Sequence, residues 1–309
     1  MEVLAGGGLA PEQLRNGALA LGNFDGVHRG HQAVIGRALA HARADGMPAL
    51  VATFDPHPSR HFRPGTPPFA LTSLDQKLRL FEGLGMDAAV VIPFDHDLAS
   101  QAPAEFADQW LVRRLGVRHV VTGSDFTFGR GRSGDAAVLV ELGRSRGFSA
   151  EALAPVGDGG EIISSTRIRS ALAAGAPDEA ARLLGRPFTI EGVVIPGDQR
   201  GRAIGVPTAN LELGPYLRPR FGVYAARGRL PDGTAVDGVA NLGVRPMFSP
   251  PRELLEIWLF DWEGDLYGRT IGVELHAWLR PEAVFSSLDA LKQQIRADAV
   301  AARGALVRG

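Results

Sequence analysis

Two patterns of apolar and polar residues alternate along the first half of the chain. Five short runs are almost continuously apolar, which is typical of strands buried on both faces of a sheet; they span residues 18–21, 49–54, 88–94, 119–123 and 148–156. Between these runs, apolar residues recur every three or four positions, as they do in an amphipathic helix. The alternation of strand and helix predicts an α/β domain whose parallel sheet is covered on both faces.

From Arg186 onward the pattern changes, because strand-like runs follow one another without helices between them. Six such runs span residues 188–195, 209–213, 222–230, 235–243, 254–261 and 270–279. The turn Pro231–Thr234 joins two of them as a hairpin. Six short strands predict an antiparallel barrel or sandwich, and apolar residues at 288, 291 and 295 predict a closing helix. We therefore expect two domains, over residues 1–185 and 186–309.

The composition of the 309-residue chain excludes several functional classes. It has no cysteine, which rules out disulfides, thiolate zinc sites and cysteine nucleophiles. Its formal net charge of −1 gives no indication of a broad surface for nucleic acid or membranes. The first residues lack the features of a signal peptide, and no apolar run reaches the roughly 18 residues of a membrane span. We expect a cytoplasmic protein without nucleic-acid or membrane partners, and leave homo-oligomer formation open.

The stretch ALALGNFDGVHRGHQ, residues 18–32, joins the first predicted strand to the first helix. His28 and His31 are three positions apart at the start of this helix and therefore share one face. Gly30 between them allows a polyanion to approach the backbone, and the free N–H groups of a helix N-terminus attract anions. Imidazoles beside those N–H groups can donate to phosphate oxygens as charge builds on them. The stretch favours a nucleotidyl-transfer site over the alternative of two structural histidines.

Three further loops with unusual sequences follow other predicted strands. They are DPHPSRHF (55–62), GSDFTFGRGRSGD (123–135) and ISSTRIRSAL (163–172). Ligands of parallel sheets bind outside the carboxyl ends of the strands, so we expect these loops and the histidine loop to line one cleft.

Two of these loops admit more than one interpretation. Gly129, Gly131 and Gly134 spell G-x-G-x-x-G, but after the fourth strand instead of the first, so we do not take them as a dinucleotide fingerprint. A basic loop over a phosphate and a plain solvated loop both fit. The hydroxyl residues at 164–166 can simply cap a helix, or they can bind an anion together with the arginines at 167 and 169.

The second domain contains one stretch with candidate chemistry, GDQRGRAIGVPTANLEL (197–213). The glycines and arginines of its first part, which include Gly201 and Arg202, predict a flexible basic flap. Thr208 and Asn210 follow Pro207 and, two residues apart on a strand, would face the same side. Neutral oxygen ligands beside a nucleotide suit Mg²⁺, although a simple turn is the alternative. The chain has no G-x-x-x-x-G-K-[ST] motif, so an ATP site here would not be a P-loop.

Glu256 interrupts an otherwise apolar strand in LLEIWLFD. A carboxylate on a strand usually lies on the solvated face, and that alternative stays open on the residues alone. A chemical role would be that of a general base toward an alcohol, as a kinase mechanism needs.

Taken together, the two halves resemble the bifunctional prokaryotic riboflavin kinase/FAD synthetase family. GNFDGVHRGH, TFDPHP, SDFTFG and SSTRIR resemble its adenylyltransferase motifs, and GRAIGVPTANL, GVYA, GVANLGVRP and LLEIWLFDWEGDLYG resemble its kinase motifs. The resemblance covers essentially the whole chain. It implies a Rossmann-like nucleotidyltransferase domain followed by a six-stranded β-barrel kinase domain, which make FMN from riboflavin and ATP, and FAD from FMN and ATP.

The resemblance also implies roles for individual residues. His28 and His31 would bind the ATP phosphates and stabilise the transition state of adenylyl transfer, and Glu256 would take the proton from the ribityl hydroxyl. ATP binding in the first domain would involve Gly22, Phe24, Gly30, Asp125, Ser165, Thr166 and Arg169. In the barrel it would involve Gly201, Arg202, Pro207, Thr208 and Asn210, with Thr208 and Asn210 also positioning Mg²⁺. The flavin pocket of the first domain would be lined by Pro56, Pro58, Phe62 and Phe128.

The sequence departs from the family pattern at Met247 and Trp258, which replace the more frequent Thr and His, and in PPRELLE (250–256), a variant of the loop that leads to Glu256. Neither Met247 nor Trp258 is assigned to the chemistry.

Two other hypotheses compete with a bifunctional enzyme: an adenylyltransferase for another phosphorylated alcohol with an accessory barrel, and a flavin-binding regulator without turnover. The intact PTAN (207–210) and Glu256 disfavour the first, and the presence of His28, His31 and Glu256 disfavours the second.

Overall fold

The computed structural model describes residues 1–197, 205–245 and 252–307. The chain folds as two compact units, the first made of residues 1–66 and 74–163, the second of residues 67–73 and the chain from Ser164 onward. Three residues named above, Gly201, Arg202 and Met247, lie outside the described residues. No helix within the described ranges has the length and apolarity needed to cross a membrane.

The first unit contains a six-stranded sheet in which every neighbouring pair is parallel. Its strands are β1 (Glu2–Ala5), β2 (Ala18–Leu21), β3 (Ala49–Asp55), β4 (Ala88–Pro93), β5 (His119–Gly123) and β6 (Ser149–Leu153), in the spatial order β1-β4-β3-β2-β5-β6. The five predicted strands are confirmed, and the direction of strand addition reverses between β2 and β5. Ligands of doubly wound folds bind at such a reversal.

Helices cover both faces of this sheet, as the alternating pattern predicts. They are α1 (Arg29–Asp45), α2 (Pro58–Phe62), α3 (Leu74–Gly83), α4 (His96–Ser100), α5 (Pro103–Phe106) and α6 (Ala136–Arg146), with a π-helical segment at Ala107–Arg114, short 3-10 turns at Glu12–Leu14 and Arg130–Arg132, and a small hairpin of β7 (Gly157–Asp158) and β8 (Glu161–Ile162).

Strand β2 shows how the two faces are divided. Ala18 and Ala20 pack in one apolar cluster with Ile35 of α1, whereas Leu19 and Leu21 pack in the other. Successive side chains of a strand point to opposite faces, so the sequence ALAL presents small residues to α1 and large residues to the opposite layer.

The second unit contains a closed six-stranded barrel in which every neighbouring pair is antiparallel. It begins with α7 (Ser165–Ala174) and α8 (Pro177–Leu184), continues through β9 (Phe188–Ile195), β10 (Ala209–Glu212), β11 (Gly222–Arg229), β12 (Ala235–Arg245), β13 (Arg252–Leu259) and β14 (Thr270–Arg280), and ends with α9 (Leu288–Leu306). The barrel is therefore confirmed over the sandwich. The strand order is β10-β13-β12-β11-β14-β9.

The predicted closing helix α9 is present, but its buried residues lie in its second half, whereas the apolar residues that predict it lie in its first half. Leu288 is 54% exposed, whereas Ala302 and Leu306 are buried against Phe260 and Ala225. The helix spans 19 residues, and it is the second half that contacts the barrel. The apolar spacing at its start therefore predicts both the helix and its packing face, because positions 288, 291, 295, 302 and 306 share one face, but the buried end of that face is the second half.

Candidate active sites

The histidine pair lies where β2 meets α1. His28 is the N-cap residue of α1, and its Nδ1 accepts a hydrogen bond of 3.2 Å from the backbone N–H of His31. An accepting Nδ1 carries no proton, so neutral His28 holds its proton on Nε2 as a donor. The two imidazole rings stack with centroids 3.5 Å apart, and His28 is buried to 5% exposure. The structure thus brings the two predicted catalytic histidines together and fixes the tautomer of one.

Glycines at two positions of this loop are required by close packing. A Cβ on Gly30 would lie 3.1 Å from Cε1 and 3.2 Å from Nδ1 of His28, and a Cβ on Gly22 would lie 3.0 Å from the Phe24 ring. Gly30 therefore allows His28 to lie flat over the first turn of α1. The sequence predicted a glycine for a polyanion to approach, and the structure adds a second reason for it.

The backbone between Gly22 and His28 is strained. Phe24 and Val27 have φ angles of +49° and +42°, in the left-handed region that side chains with a Cβ rarely adopt, and Gly26 is at +86°. Such residues cost about 1–3 kcal/mol each and persist where the surroundings determine them. The Phe24 ring is held edge-on against His31, with centroids 5.3 Å apart. A strained loop held in this way supplies a rigid position for the histidines.

Two of the other unusual loops follow β3 and β5 at the same, carboxyl edge of the sheet, as predicted. Pro56 directly follows β3 and is exposed, and Pro58 begins α2. Phe62, at the end of α2, is 63% exposed and packs edge-on against Phe94, with centroids 5.7 Å apart. An exposed aromatic ring on a proline-bounded turn suits a planar ligand such as a flavin.

The loop after β5 presents its two candidate residues differently. Asp125 is exposed, with its carboxylate folded back over Gly123, where an added Cβ would lie 2.9 Å from Oδ1. Phe128 is only 7% exposed and stacks on Phe126 at 5.7 Å. Phe128 thus forms part of the core behind Phe126, and its assignment to a flavin pocket stays a prediction.

The fourth unusual loop belongs to the second unit. Ser164 caps α7, because its side chain accepts from the Arg167 N–H at 3.2 Å, which confirms the capping role predicted for one of the hydroxyls. Ser165 and Thr166 open the helix, and Thr166 is exposed. The Arg169 guanidinium donates to the carbonyl of Phe69 at 2.9 Å and lies over its ring. The role of this loop in ATP binding stays a prediction.

In the barrel, the central carboxylate lies between two asparagines. Glu256 of β13 is directly opposite Asn210 of β10 on one side and Asn241 of β12 on the other. Residues paired in this way point to the same face of the sheet, with Cβ atoms about 4.5–5.5 Å apart. The neighbours Leu255 and Ile257 are fully buried on the opposite face. The three polar side chains therefore form one row, with Glu256 half-buried and Asn210 4% exposed.

A cleft of about 400 Å³ lies on the other face of these strands, the face of Ala209 and Ile257. It is lined by Pro207, Thr208, Ala209, Ile257 and the β13–β14 connection from Trp262 to Tyr267. Its volume falls within the range of about 300–1,000 Å³ that is usual for small-molecule sites. Thr208 directly precedes β10, so the cleft and the carboxylate row are joined through adjacent residues of one strand.

The residues at this position fit a magnesium ion that is shared with phosphates. Thr208 and Asn210 offer neutral oxygen donors, and an added Cβ on Gly197 would overlap the Asn210 amide and lie 2.8 Å from its Cγ. Gly197 therefore leaves the space that this amide occupies. Among the described residues, no group of three or more His, Cys, Asp or Glu could hold a metal ion. Mg²⁺ is commonly bound by few protein oxygens, with water and substrate phosphates completing its shell.

Two family models match the chain one after the other. The FAD synthetase model matches residues 10–167, and the riboflavin kinase model matches residues 184–306. The bifunctional riboflavin kinase/FMN adenylyltransferase of Pseudomonas fluorescens is 44% identical over 296 residues, which cover 96% of this chain and 94% of that protein. The chain belongs to the bifunctional riboflavin kinase/FMN adenylyltransferase family.

Other relatives in this family span the chain to a similar extent. The protein of the same name from Haemophilus influenzae is 38% identical over 303 residues, covering 98% of both chains. A solved structure described as a macrolide-efflux protein from Streptococcus pneumoniae shares the fold, with a TM-score of 0.88, 29% identity and coverage of 98% of this chain and 99% of that one.

Two residues of this family member gain an explanation from the structure alone. Asn241 lies within GVANLG, a motif to which the sequence analysis assigns no role. Its side-chain nitrogen donates to Glu282 at 3.3 Å. Its buried Oδ1 has no hydrogen-bond partner among the described residues. Only the barrel register shows that it faces Glu256. Trp258, the departure from the family pattern, packs edge-on against Phe260 at 5.1 Å beside α9, so its size is used in packing.

Proposed function

We propose that this chain phosphorylates riboflavin in its barrel and adenylylates the resulting FMN in its first domain, with the residues below in the stated roles. The observation that carries the kinase assignment is the row of Asn210, Glu256 and Asn241, because it places one carboxylate between two neutral amides on adjacent strands of the barrel.

In the kinase step, Glu256 accepts the proton of the ribityl 5′-hydroxyl. The hydroxyl oxygen forms a bond to the γ-phosphorus of ATP, the bond from that phosphorus to the bridging oxygen breaks, and ADP leaves with FMN as the other product. Positioning and charge stabilisation supply nearly all of the catalysis in phosphoryl transfer. ATP is bound in this domain by Pro207, Thr208 and Asn210. We propose that Gly201 and Arg202 bind ATP as well.

Thr208 and Asn210 would hold Mg²⁺ together with the phosphates. When bound, Mg²⁺ neutralises charge on the phosphate oxygens. The register of the barrel places Glu256 between the amides of Asn210 and Asn241.

In the adenylyl step, a phosphate oxygen of FMN forms a bond to the α-phosphorus of ATP, and pyrophosphate leaves. The Nε2–H of His28 and the ring of His31 donate to the phosphate oxygens that gain charge. Gly22, Phe24, Gly30, Asp125, Ser165, Thr166 and Arg169 are proposed to bind ATP, and Pro56, Pro58, Phe62 and Phe128 to line the flavin pocket. No covalent enzyme intermediate is needed.

We further propose that the adenylyltransferase domain extends to Gly185 and the kinase domain begins at Arg186. Gly185 is the left-handed C-cap of α8, and the riboflavin kinase model begins one residue before it. A cytoplasmic location and a homo-oligomeric state stay predictions.

The test is an incubation of the purified protein with riboflavin, ATP and Mg²⁺, followed by chromatographic separation of the flavins. We expect FMN first and FAD after it. His31→Ala should lower FAD formation by about 10²–10³-fold, the effect of losing a preorganised donor, and leave FMN formation intact. Glu256→Ala should do the reverse, stopping FMN formation while supplied FMN is still converted to FAD.

Each other result contradicts part of the proposal. Wild-type protein that makes FMN but no FAD would disprove the adenylyltransferase assignment. Failure to use riboflavin, with FMN still converted to FAD, would disprove the kinase assignment. If neither flavin reacts, the regulator hypothesis is favoured. Loss of both activities in either variant, with the fold retained, would show that the two sites are not independent.

A further inference from the structure

A buried lysine lies beneath the histidine loop and takes no part in the chemistry above. Lys77 of α3 is 6% exposed. Its ammonium donates to the carbonyl oxygen of Asn23 at 2.9 Å and to Oγ1 of Thr53 in β3 at 3.1 Å. The Thr53 hydroxyl in turn donates to the same Asn23 carbonyl at 2.9 Å. The three groups form a closed triangle that ties α3 and β3 to the start of the loop.

The sequence uses lysine almost nowhere else. Of the 33 lysines and arginines, Lys77 and Lys292 are the two lysines, and the rest are arginines. An ammonium is compact and points its three donors freely, whereas a guanidinium is planar and larger. At Lys77 the compact ammonium reaches two acceptors at once, the Asn23 carbonyl and the Thr53 hydroxyl.

Burying this charge is costly unless opposite charges accompany it. Burial lowers the pKa of Lys77, and the carboxylates of Asp25 and Asp55 oppose that shift. Asp25 is itself buried to 5% exposure and belongs to the histidine loop. The cation is therefore compensated by the loop beneath which it lies and by the end of β3.

The hydrogen bond from Lys77 fixes the start of the strained backbone segment between Gly22 and His28. Asn23 is the first residue of a segment that ends at the N-cap residue His28. Within this segment, Phe24, Gly26 and Val27 have positive φ angles. Left-handed conformations at residues with a Cβ persist only where their surroundings impose them. Two hydrogen bonds to the Asn23 carbonyl, both from buried donors, impose the start of this path.

We propose that Lys77 and Thr53 are positioning residues for adenylyl transfer, holding the strained loop from Asn23 to Val27 so that His28 and His31 meet the ATP phosphates. The inference rests on the proposed function of the first domain. Neither side chain is assigned a contact with substrate. Their effect on the reaction passes through the path of the backbone that ends at the N-cap of α1.

The experiment uses four variants of the full-length protein. Lys77→Met removes the ammonium and keeps an unbranched side chain. Thr53→Val removes the hydroxyl and keeps the branched shape, whereas Thr53→Ser keeps the hydroxyl. Lys292→Met, in α9 of the second unit, is the matched control for loss of a lysine. For each protein, kcat and KM for conversion of FMN to FAD are measured per folded molecule, together with the rate of FMN formation from riboflavin and the midpoint of thermal unfolding.

We expect Lys77→Met and Thr53→Val to lower kcat for FAD formation about a hundredfold, the effect of misplacing catalytic groups by about 1 Å. KM for FMN should change less than about threefold, since the proposed flavin pocket lies outside this loop. Thr53→Ser and Lys292→Met should stay within about threefold of the wild type in kcat. FMN formation from riboflavin, which belongs to the barrel, should be unchanged in all four.

A purely structural role predicts a different result. If Lys77→Met and Thr53→Val lower the unfolding midpoint but keep kcat per folded molecule, the inference is wrong. If Lys77→Met does not fold, the inference is tested by comparing Thr53→Val with Thr53→Ser. Equal kcat values in the two variants would overturn the inference. A lower kcat in Thr53→Val alone would support it. If the wild type itself makes no FAD from FMN, the proposed function fails first, and the inference falls with it.

Discussion

Substitution of Gly30 by alanine should lower the rate of FAD formation. Gly30 lies in the first turn of α1, where alanine is favoured over glycine by up to about 1 kcal/mol. Yet the added Cβ would lie 3.1 Å from Cε1 of His28, whereas ordinary contacts begin at 3.4 Å. The imidazole of His28 must therefore move by about 0.3 Å, the difference between these two distances.

That movement is small but directed at the reacting groups. A displacement of about 1 Å costs about a hundredfold in rate, so 0.3 Å corresponds to about fourfold if the activation free energy rises in proportion. His28 also stacks on His31 and accepts its N–H, so the second histidine shifts with the first. We expect kcat for FAD formation to fall about four- to tenfold in Gly30→Ala.

The same helix offers a control. Gly36 is exposed in α1, and a Cβ there would meet nothing within 4 Å. Gly36→Ala should raise the free energy of unfolding by about 0.5–1 kcal/mol and leave both activities unchanged. Both variants are assayed for FMN-to-FAD conversion and, as an internal reference, for FMN formation in the barrel. A Gly30→Ala protein with wild-type kcat for FAD formation would refute the argument that the position of the His28 ring limits the reaction.

Two further predictions concern the barrel. Gly197→Ala should lower FMN formation at least about tenfold, because its Cβ would displace the Asn210 amide. FAD formation from FMN should be unaffected. Flavin chromatography measures both activities, and an equal loss of the two would contradict the assignment. Although burial raises the pKa of Glu274, hydrogen bonds from His276 and Arg229 hold it below its usual value. Its stabilisation is therefore complete above the unfolded pKa and is lost as pH falls through the lower folded pKa. Glu274→Gln should cost about 1–3 kcal/mol at pH 7 and progressively less in acid, as thermal unfolding across pH would show; a cost independent of pH would contradict this.

Features that depend on neighbours in the sequence were predictable. The strand ALAL, the helix with Ile35 on its buried face and the cap at Ser164 follow from local periodicity and hydrogen bonding, and the structure has all three. The pair of histidines was predictable for the same reason, since residues three apart at a helix start must meet. Strand β1 was missed because it is a short edge strand whose residues are mostly exposed, so it has no buried pattern.

Features that depend on distant segments were not predictable. Lys77 occupies an ordinary polar position in the pattern of α3, and its burial arises only when Asn23 and Thr53 are brought to it by the sheet. The pairing of Glu256 with Asn241 is set by the register of two long strands, which no local pattern specifies. The positive φ angles of Phe24 and Val27 contradict the preferences of those residue types, and only the packing around them explains the conformation.

The register of β13 determines which measurement can detect a misaligned strand in this protein. A slip of one residue would turn Glu256 into the barrel interior and expose leucines, so such a chain would misfold. A slip of two residues would keep the apolar side chains inside and the strand count unchanged, but would remove Glu256 from both asparagines. Spectroscopy that reports strand content would not distinguish that molecule from the native one. Turnover of riboflavin would, so the kinase activity is itself a measure of correct strand alignment.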